Sequence, residues 1–219
     1  MFRTSLEKCN TNHCHQAASS IVKSREIFGR GAITTTQQDK FTESVITGDK
    51  TWYFEYDPET KLKSENDAHR FFDYQSVVHK EFVPPGKTVN AQFYVEVLER
   101  LRKRVLRVRP AMSNTWKLHH DNAPCHTALL VREWQAKHNL VTLPHPPYSP
   151  DLAPPDFFLF PRLKRQMKGR RFDTIEAVQE AITRGLRSIP VENFQPAYAD
   201  WQTRYTKCIN SGGCYFEEY

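Results

Sequence analysis

Residues 119–156 open with His119-His120-Asp121-Asn122-Ala123-Pro124-Cys125-His126 and close with Tyr148-Ser149-Pro150-Asp151-Leu152-Ala153-Pro154-Pro155-Asp156. Asp121 and Asp156 bracket the stretch with 34 residues between them. Ahead of Asp121, Trp116, Leu118 and His120 alternate, the period of a short strand that delivers its carboxylate at the end. Five prolines between 145 and 156 make a stiff, extended connector, since no helix or central strand tolerates that density. Asp156 then opens a helix, with Pro161 close enough to its start to be tolerated. A third acid, Asp49, lies upstream in Val45-Ile46-Thr47-Gly48-Asp49-Lys50-Thr51-Trp52, inside an alternating run over 44–57 that reads as a half-buried strand. Two carboxylates on strand ends and one opening a helix are what a two-metal phosphoryl-transfer site needs. Mg2+ is hard, takes oxygen ligands, and is usually held by one or two carboxylates plus substrate phosphates. Two such ions about 4 Å apart stabilise both the attacking and the leaving oxygen of an in-line displacement.

The rest of the chain supplies a frame for these acids. Trp52, Phe54 and Tyr56 share one face of the first strand, and Asp57-Pro58-Glu59-Thr60 is turn chemistry that stops it. Phe71-Phe72 and residues 77–83 are short strand material, closed by Pro84-Pro85-Gly86. A helix is expected over 90–107, with Asn90 as N-cap and Phe93, Val97, Leu101, Val105 and Val108 recurring at three- and four-residue steps. Pro124 introduces a helix that carries Leu130 and Trp134 inward, and residues 141–143 form another short strand. Asp173 with Glu176 reads as a capping box for a helix lined by Ile175, Val178, Ile182, Leu186 and Ile189. Strands separated by long crossings give an α/β domain, a mixed sheet flanked by helices.

Bulk properties narrow the partners. The 219 residues fit one domain, or one domain with a tail, and 39% apolar content supports a real core. No apolar run approaches the ~20 residues that span a bilayer, and the first 25 residues lack the apolar core of a signal peptide. No membrane role and no small-molecule cofactor are expected. The net charge of +6 is compatible with a polyanion, and its distribution is more telling. One cluster holds Arg100, Arg102, Lys103, Arg104, Arg107 and Arg109; a second holds Arg162, Lys164, Arg165, Lys168, Arg170 and Arg171. Charge runs are usually solvated helix faces, but cations beside a phosphoryl-transfer site would neutralise phosphates. Five cysteines, at 9, 14, 125, 208 and 214, are an odd number and argue against a disulfide framework. Cys9 and Cys14, with His13 and His15, lack a second ligand pair at zinc-finger spacing. Cys125 beside His126 is a poor nucleophile pair, because adjacent residues rarely aim their side chains together.

From about Ser44 to Tyr219 the chain resembles the catalytic region of mariner-type transposases of the Tc1/mariner superfamily. The segments that carry the likeness are TGDKTW, YDPETK, VVHKEFVPPGKTVN, HHDNAPCHTALLVRE, LPHPPYSPDLAPPDFFLFPRLK, GRRFDTIEAVQEAI and KCINSGGCYFEEY, in family order. The 34-residue gap is that family's spacing between its second and third catalytic aspartates. The resemblance implies an RNase H-like (retroviral integrase-like) fold and DNA strand cleavage and transfer on double-stranded DNA; a cytosolic or nuclear location follows by default from the lack of a signal-peptide pattern, and a nuclear one is expected. The resemblance also implies Asp49, Asp121 and Asp156 as ligands of two Mg2+ or Mn2+ ions, with Asn122 and His126 orienting them. The density of Arg162, Lys164, Arg165, Lys168, Arg170 and Arg171 directly after Asp156, where a substrate phosphate must lie, predicts nonspecific DNA binding through them. Asp151 and Asp173, by contrast, read as turn or N-cap residues.

Two departures from the family shape the expectations. No tandem three-helix pattern precedes Asp49, so sequence-specific reading of transposon ends is not expected of these residues. Residues 1–40 match nothing in the family and read as a disordered tail before a catalytic domain at 41–219. Between Lys61 and Phe71 the chain is shorter than its relatives, an internal deletion that is expected to shorten or remove a central strand. That region also forms part of the interface between subunits in the family, so the family's homodimer is not carried over. The alternative to a nuclease is therefore a transposase remnant that binds nucleic acid without turnover.

Overall fold

The computed structural model describes residues 40–55, 64–84, 86–170, 172 and 174–211. The reading of 1–40 as a disordered tail therefore falls, up to residue 39, outside the described residues, as do Cys9, Cys14 and Cys214. Five strands form one sheet: β1 (Val45–Glu55), β2 (Ser64–Phe72), β3 (Val77–Phe82), β4 (Lys117–His119) and β5 (Val141–Leu143). Their order is β3-β2-β1-β4-β5. The first three run antiparallel to their neighbours, while β4 joins β1, and β5 joins β4, in parallel. The parallel pairs require crossovers, and the helices between those strands supply them.

Of the two outcomes expected for a central strand, shortening or loss, loss does not occur. β2 begins at Ser64 and pairs with β1 at nine consecutive positions, from Glu55↔Ser64 to Thr47↔Phe72. Ser64-Glu65-Asn66-Asp67 is poor strand sequence, but a neighbouring strand's hydrogen-bond ladder outweighs intrinsic preference. Residues 61–63 lie outside the described residues.

Alternation along the sheet sends side chains to two cores. Ile46 and Phe71 pack on one face with α1 (Ala91–Val108), whose Phe93, Val97, Leu101 and Val105 are buried as their spacing predicts. Asn90 caps that helix, its side chain accepting from the N–H of Phe93 at 2.9 Å. Gly48 is required on this face: a Cβ there would come within 2.1 Å of the Phe71 ring. Val45 and Phe72 point the other way, into a core built by α4 (Phe160–Met167), α5 (Ile175–Arg187) and α6 (Phe194–Asn210). Tyr198 on α6 reaches the carbonyls of Val45 (3.0 Å) and Phe72 (3.1 Å), and Trp201 donates to Leu152 O at 2.8 Å. Each large apolar side chain buried this way contributes about 1.5–3 kcal/mol.

Three local expectations are corrected. The helix introduced by Pro124 is two pieces, α2 (Pro124–Thr127) and α3 (Leu129–Lys137), broken at Ala128. Its inward residue is Val131, fully buried, whereas Leu130 is 41% exposed. On α5 the cap is Thr174, whose side chain accepts from the N–H of Ala177 at 3.2 Å, one residue later than the Asp173 cap expected.

Candidate active site

Strand register brings the first two aspartates level. Thr47 on β1 pairs with His119 on β4 in parallel, and Asp49 and Asp121 each lie two residues further along their chains. Even spacing on parallel neighbours puts both at the same height and on the same side. Asp156 arrives from elsewhere. The proline connector runs into a π-helical turn, Pro155–Leu159, in which the N–H of Phe160 bonds Pro155 O, before α4 proper begins at Phe160. Pro161 explains the wide turn: it has no N–H to return to Phe157, and its ring would clash with that carbonyl in a regular α-helix. The helix thus opens close to where the sequence placed it, in a different geometry.

The three carboxylates line one groove of about 410 Å3, with Asn122, Ala123 and the connector residues His145–Pro150 as its other walls. Their electrostatics show the proximity. Burial, followed by the charges of Asp121 and Asp156, pushes the Asp49 carboxyl up to about 7. Asp156 is raised by burial and by Asp121, against the pull of Lys164. Asp121 goes the other way: burial would raise it, but the hydrogen bond and charge of His126 hold it below the ordinary value. His126 Nδ1 donates to Asp121 Oδ1 at 2.5 Å. Burial opposes the charge on that imidazole, yet Asp121 and Cys125 outweigh it and carry it up to about 9.

Supporting contacts hold the strand ends. Asn122 Nδ2 donates to His145 O at 2.7 Å, tying the end of β4 to the connector. Thr47 Oγ1 and His119 Nδ1 are 2.9 Å apart, and His119 Nε2 continues to His145 Nδ1 at 3.2 Å. Tyr94 Oη meets His120 Nδ1 at 3.0 Å and its ring lies 4.0 Å from that of His126. Sequence reading missed Tyr94, His119 and His145. Its only signal for them was the density of histidine around Asp121, and nothing local places Tyr94 or His145 there.

The donor set is all oxygen and suits a hard divalent ion. Among the described residues no three His, Cys, Asp or Glu side chains form a ready cage for one ion. Asp121 is engaged by His126, and Asp49 Oδ1 accepts from the N–H of Lys50 at 2.6 Å. Mg2+ does not need such a cage, because one or two carboxylates with water and substrate phosphates complete its shell.

The second basic cluster is not uniform. Lys164 is close enough to Asp156 for its charge to offset part of the rise there. Arg162 stacks over Phe158 at 4.8 Å, while Arg165, Lys168 and Arg170 are exposed. Arg171 lies outside the described residues.

A five-stranded mixed sheet with carboxylates on one strand, just past the end of its parallel neighbour, and in a following helical turn defines an RNase H-like fold bearing three acids. Residues 50–179 match the DDE superfamily endonuclease family, a segment that starts one residue after Asp49. The chain belongs to that family, as a mariner-type transposase catalytic domain. It is 31% identical over 204 residues to the Mariner Mos1 transposase of Drosophila mauritiana, covering 83% of this chain and 59% of that protein. The chain therefore spans less than two thirds of that relative's length. The crystal structure of the catalytic domain of Mos1 superposes with a TM-score of 0.82 at 29% identity, over 96% of this chain and 98% of that one. The same catalytic domain has been solved with Mn and with Mg. A Mos1 paired-end complex with left transposon end matches at a TM-score of 0.84 and 27% identity, over 99% of this chain and 67% of that one.

Proposed function

We propose that this domain cleaves and transfers DNA strands, with Asp49, Asp121 and Asp156 holding two Mg2+ or Mn2+ ions against the scissile phosphate. The observation that carries the reading is the level placement of Asp49 and Asp121 facing Asp156 across one groove, close enough that the charges of Asp121 and Asp156 both raise Asp49 and that of Asp121 raises Asp156. Bound divalent ions supply charge for the attacking oxygen, from water or a DNA 3′-hydroxyl, and for the leaving oxygen. The chain's own part is to orient. His126 fixes Asp121, Asn122 anchors the connector wall, and Lys164 with the exposed cations beyond it lies where the flanking phosphates would run. Double-stranded DNA is the substrate this arrangement fits, and a nuclear location follows from it.

The second reading, a DNA-binding remnant without turnover, draws on the absence of a ready three-ligand cage among the described residues. The continuous β1–β2 ladder removes the main structural argument for it. Supercoiled plasmid incubated with Mg2+ or Mn2+ separates the two. Nicking by the wild type and none by Asp121→Asn supports the nuclease. DNA binding with no nicking under either metal leaves the remnant.

A further inference from the structure

The first basic cluster of the sequence, on α1, takes no part in the groove just described. It faces a different feature, a trough of about 850 Å3 along the free edge of β3, walled by α1 and α5. Lys80, Arg100, Lys103, Arg104, Arg107 and Arg187 line it, and no acidic residue does among the described residues. Arg100 is occupied by Glu81, at 2.6 and 2.9 Å, and Lys103 stands 3.8 Å from Glu99. Arg107 and Arg187 are exposed and make no salt bridge among the described residues. Arg109, from the same sequence run, is instead locked onto Asp73 at 2.6 Å.

We propose that this trough is a second DNA-contact surface, binding a phosphodiester backbone away from the aspartate groove. Two side chains decide against the other natural occupant of a basic sheet edge, an acidic peptide added as a strand. Arg104 Nε donates to Val78 O at 3.3 Å, so the edge carbonyl that a new strand needs is already taken. Lys80 Nζ donates to Thr183 Oγ1, binding α5 across the same edge. Edges closed in this way resist strand addition. What remains outward is a set of guanidinium groups from two helices, whose planar forks suit phosphate oxygens. Lys80 is lowered by burial and by the charges of Arg187 and Arg70, so the cations crowd one another, and a bound polyanion would relieve that crowding.

The test is binding of the 219-residue chain to a labelled duplex of arbitrary sequence, in EDTA, over a range of salt. EDTA keeps the result independent of the proposed metal chemistry. Each phosphate contact contributes about 0.9 to the slope of log K against log salt, so Arg107→Gln/Arg187→Gln should flatten it by about 1.8. Arg107→Lys/Arg187→Lys should keep the wild-type slope. Circular dichroism checks folding, and if the double variant fails to fold, Arg107→Gln alone should flatten the slope by about 0.9. An unchanged slope in the folded variant overturns the proposal. So does loss of poly-glutamate binding with duplex binding intact, which would make the trough a site for acidic polypeptide.

Discussion

His126 and Asp121 form a buried-to-exposed pair: the imidazole is 3% exposed in its side chain, the carboxylate 41%, and 2.5 Å separates them. The short helix that Pro124 opens thus reaches back through His126 to fix the aspartate just past the end of β4. Partners that orient a metal-binding carboxylate typically change metal affinity by about 10–100-fold when removed. His126→Ala should therefore weaken Mn2+ binding within that range, measured by isothermal titration. Unchanged affinity would show that Asp121 needs no such support.

Asp49 makes the metal-free fold sensitive to pH. Its carboxyl is ordinarily at 3.8 and stands at about 7 in the folded chain, so the folded state holds the proton more tightly. The sign follows: this stability is complete below 3.8 and is lost as pH rises through about 7. In EDTA, Asp49→Asn should melt above wild type by a margin that grows from pH 4 to 7 and then levels. Saturating Mg2+ should narrow the gap by binding the wild-type carboxylate. A margin that is constant with pH would contradict the repulsion between these acids.

Arg109 belongs to a basic run in sequence and to the fold in space. Asp73 is wholly buried and accepts from Arg109 as well as from the N–H groups of Gln75 and Ser76. Removing one partner of a buried pair leaves the other uncompensated, at a cost of about 3–5 kcal/mol. Asp73→Ala should lose stability on that scale in urea unfolding. Arg109→Ala should destabilise too, while leaving the salt dependence of DNA binding as it was. A flatter slope in a folded Arg109→Ala would return this residue to the DNA surface.

Much of this was legible in the chain because local signals agreed with the fold. Asn90 before a three-and-four-residue apolar stripe is a helix start wherever it packs, and the alternation before Asp121 marks a strand. The 34-residue spacing located two carboxylates but not their geometry, which depends on the Thr47↔His119 register and on the wide turn that Pro161 imposes. The start of β2 was the least legible element. Its first residues are polar, and only the β1 ladder makes them a strand. Val131 and Leu130 are adjacent apolar residues, and the break at Ala128 resets which of them faces inward. Charge runs misled for a related reason: sequence cannot show that Arg109 has a buried partner 36 positions away.

His69 is a polar residue whose polarity the fold leaves unused. It is fully buried on β2 amid the rings of Phe71, Phe93 and Tyr94, and among the described residues neither ring nitrogen has a hydrogen-bond partner. Burial, followed by the charge of His126, lowers it to about 3 from 6.5. Its neutral form contributes stability that is present above pH 6.5 and is lost as pH falls through about 3. An unsatisfied buried polar group costs about 1–3 kcal/mol, and an apolar side chain of similar size removes that cost. His69→Leu should raise the melting temperature at neutral pH and raise it further at pH 4, where unfolded wild-type histidine gains a proton. The comparison is thermal unfolding at both pH values. A lower melting temperature for His69→Leu at pH 7 would mean that the imidazole has a structural role, with a partner supplied when metal and DNA are bound.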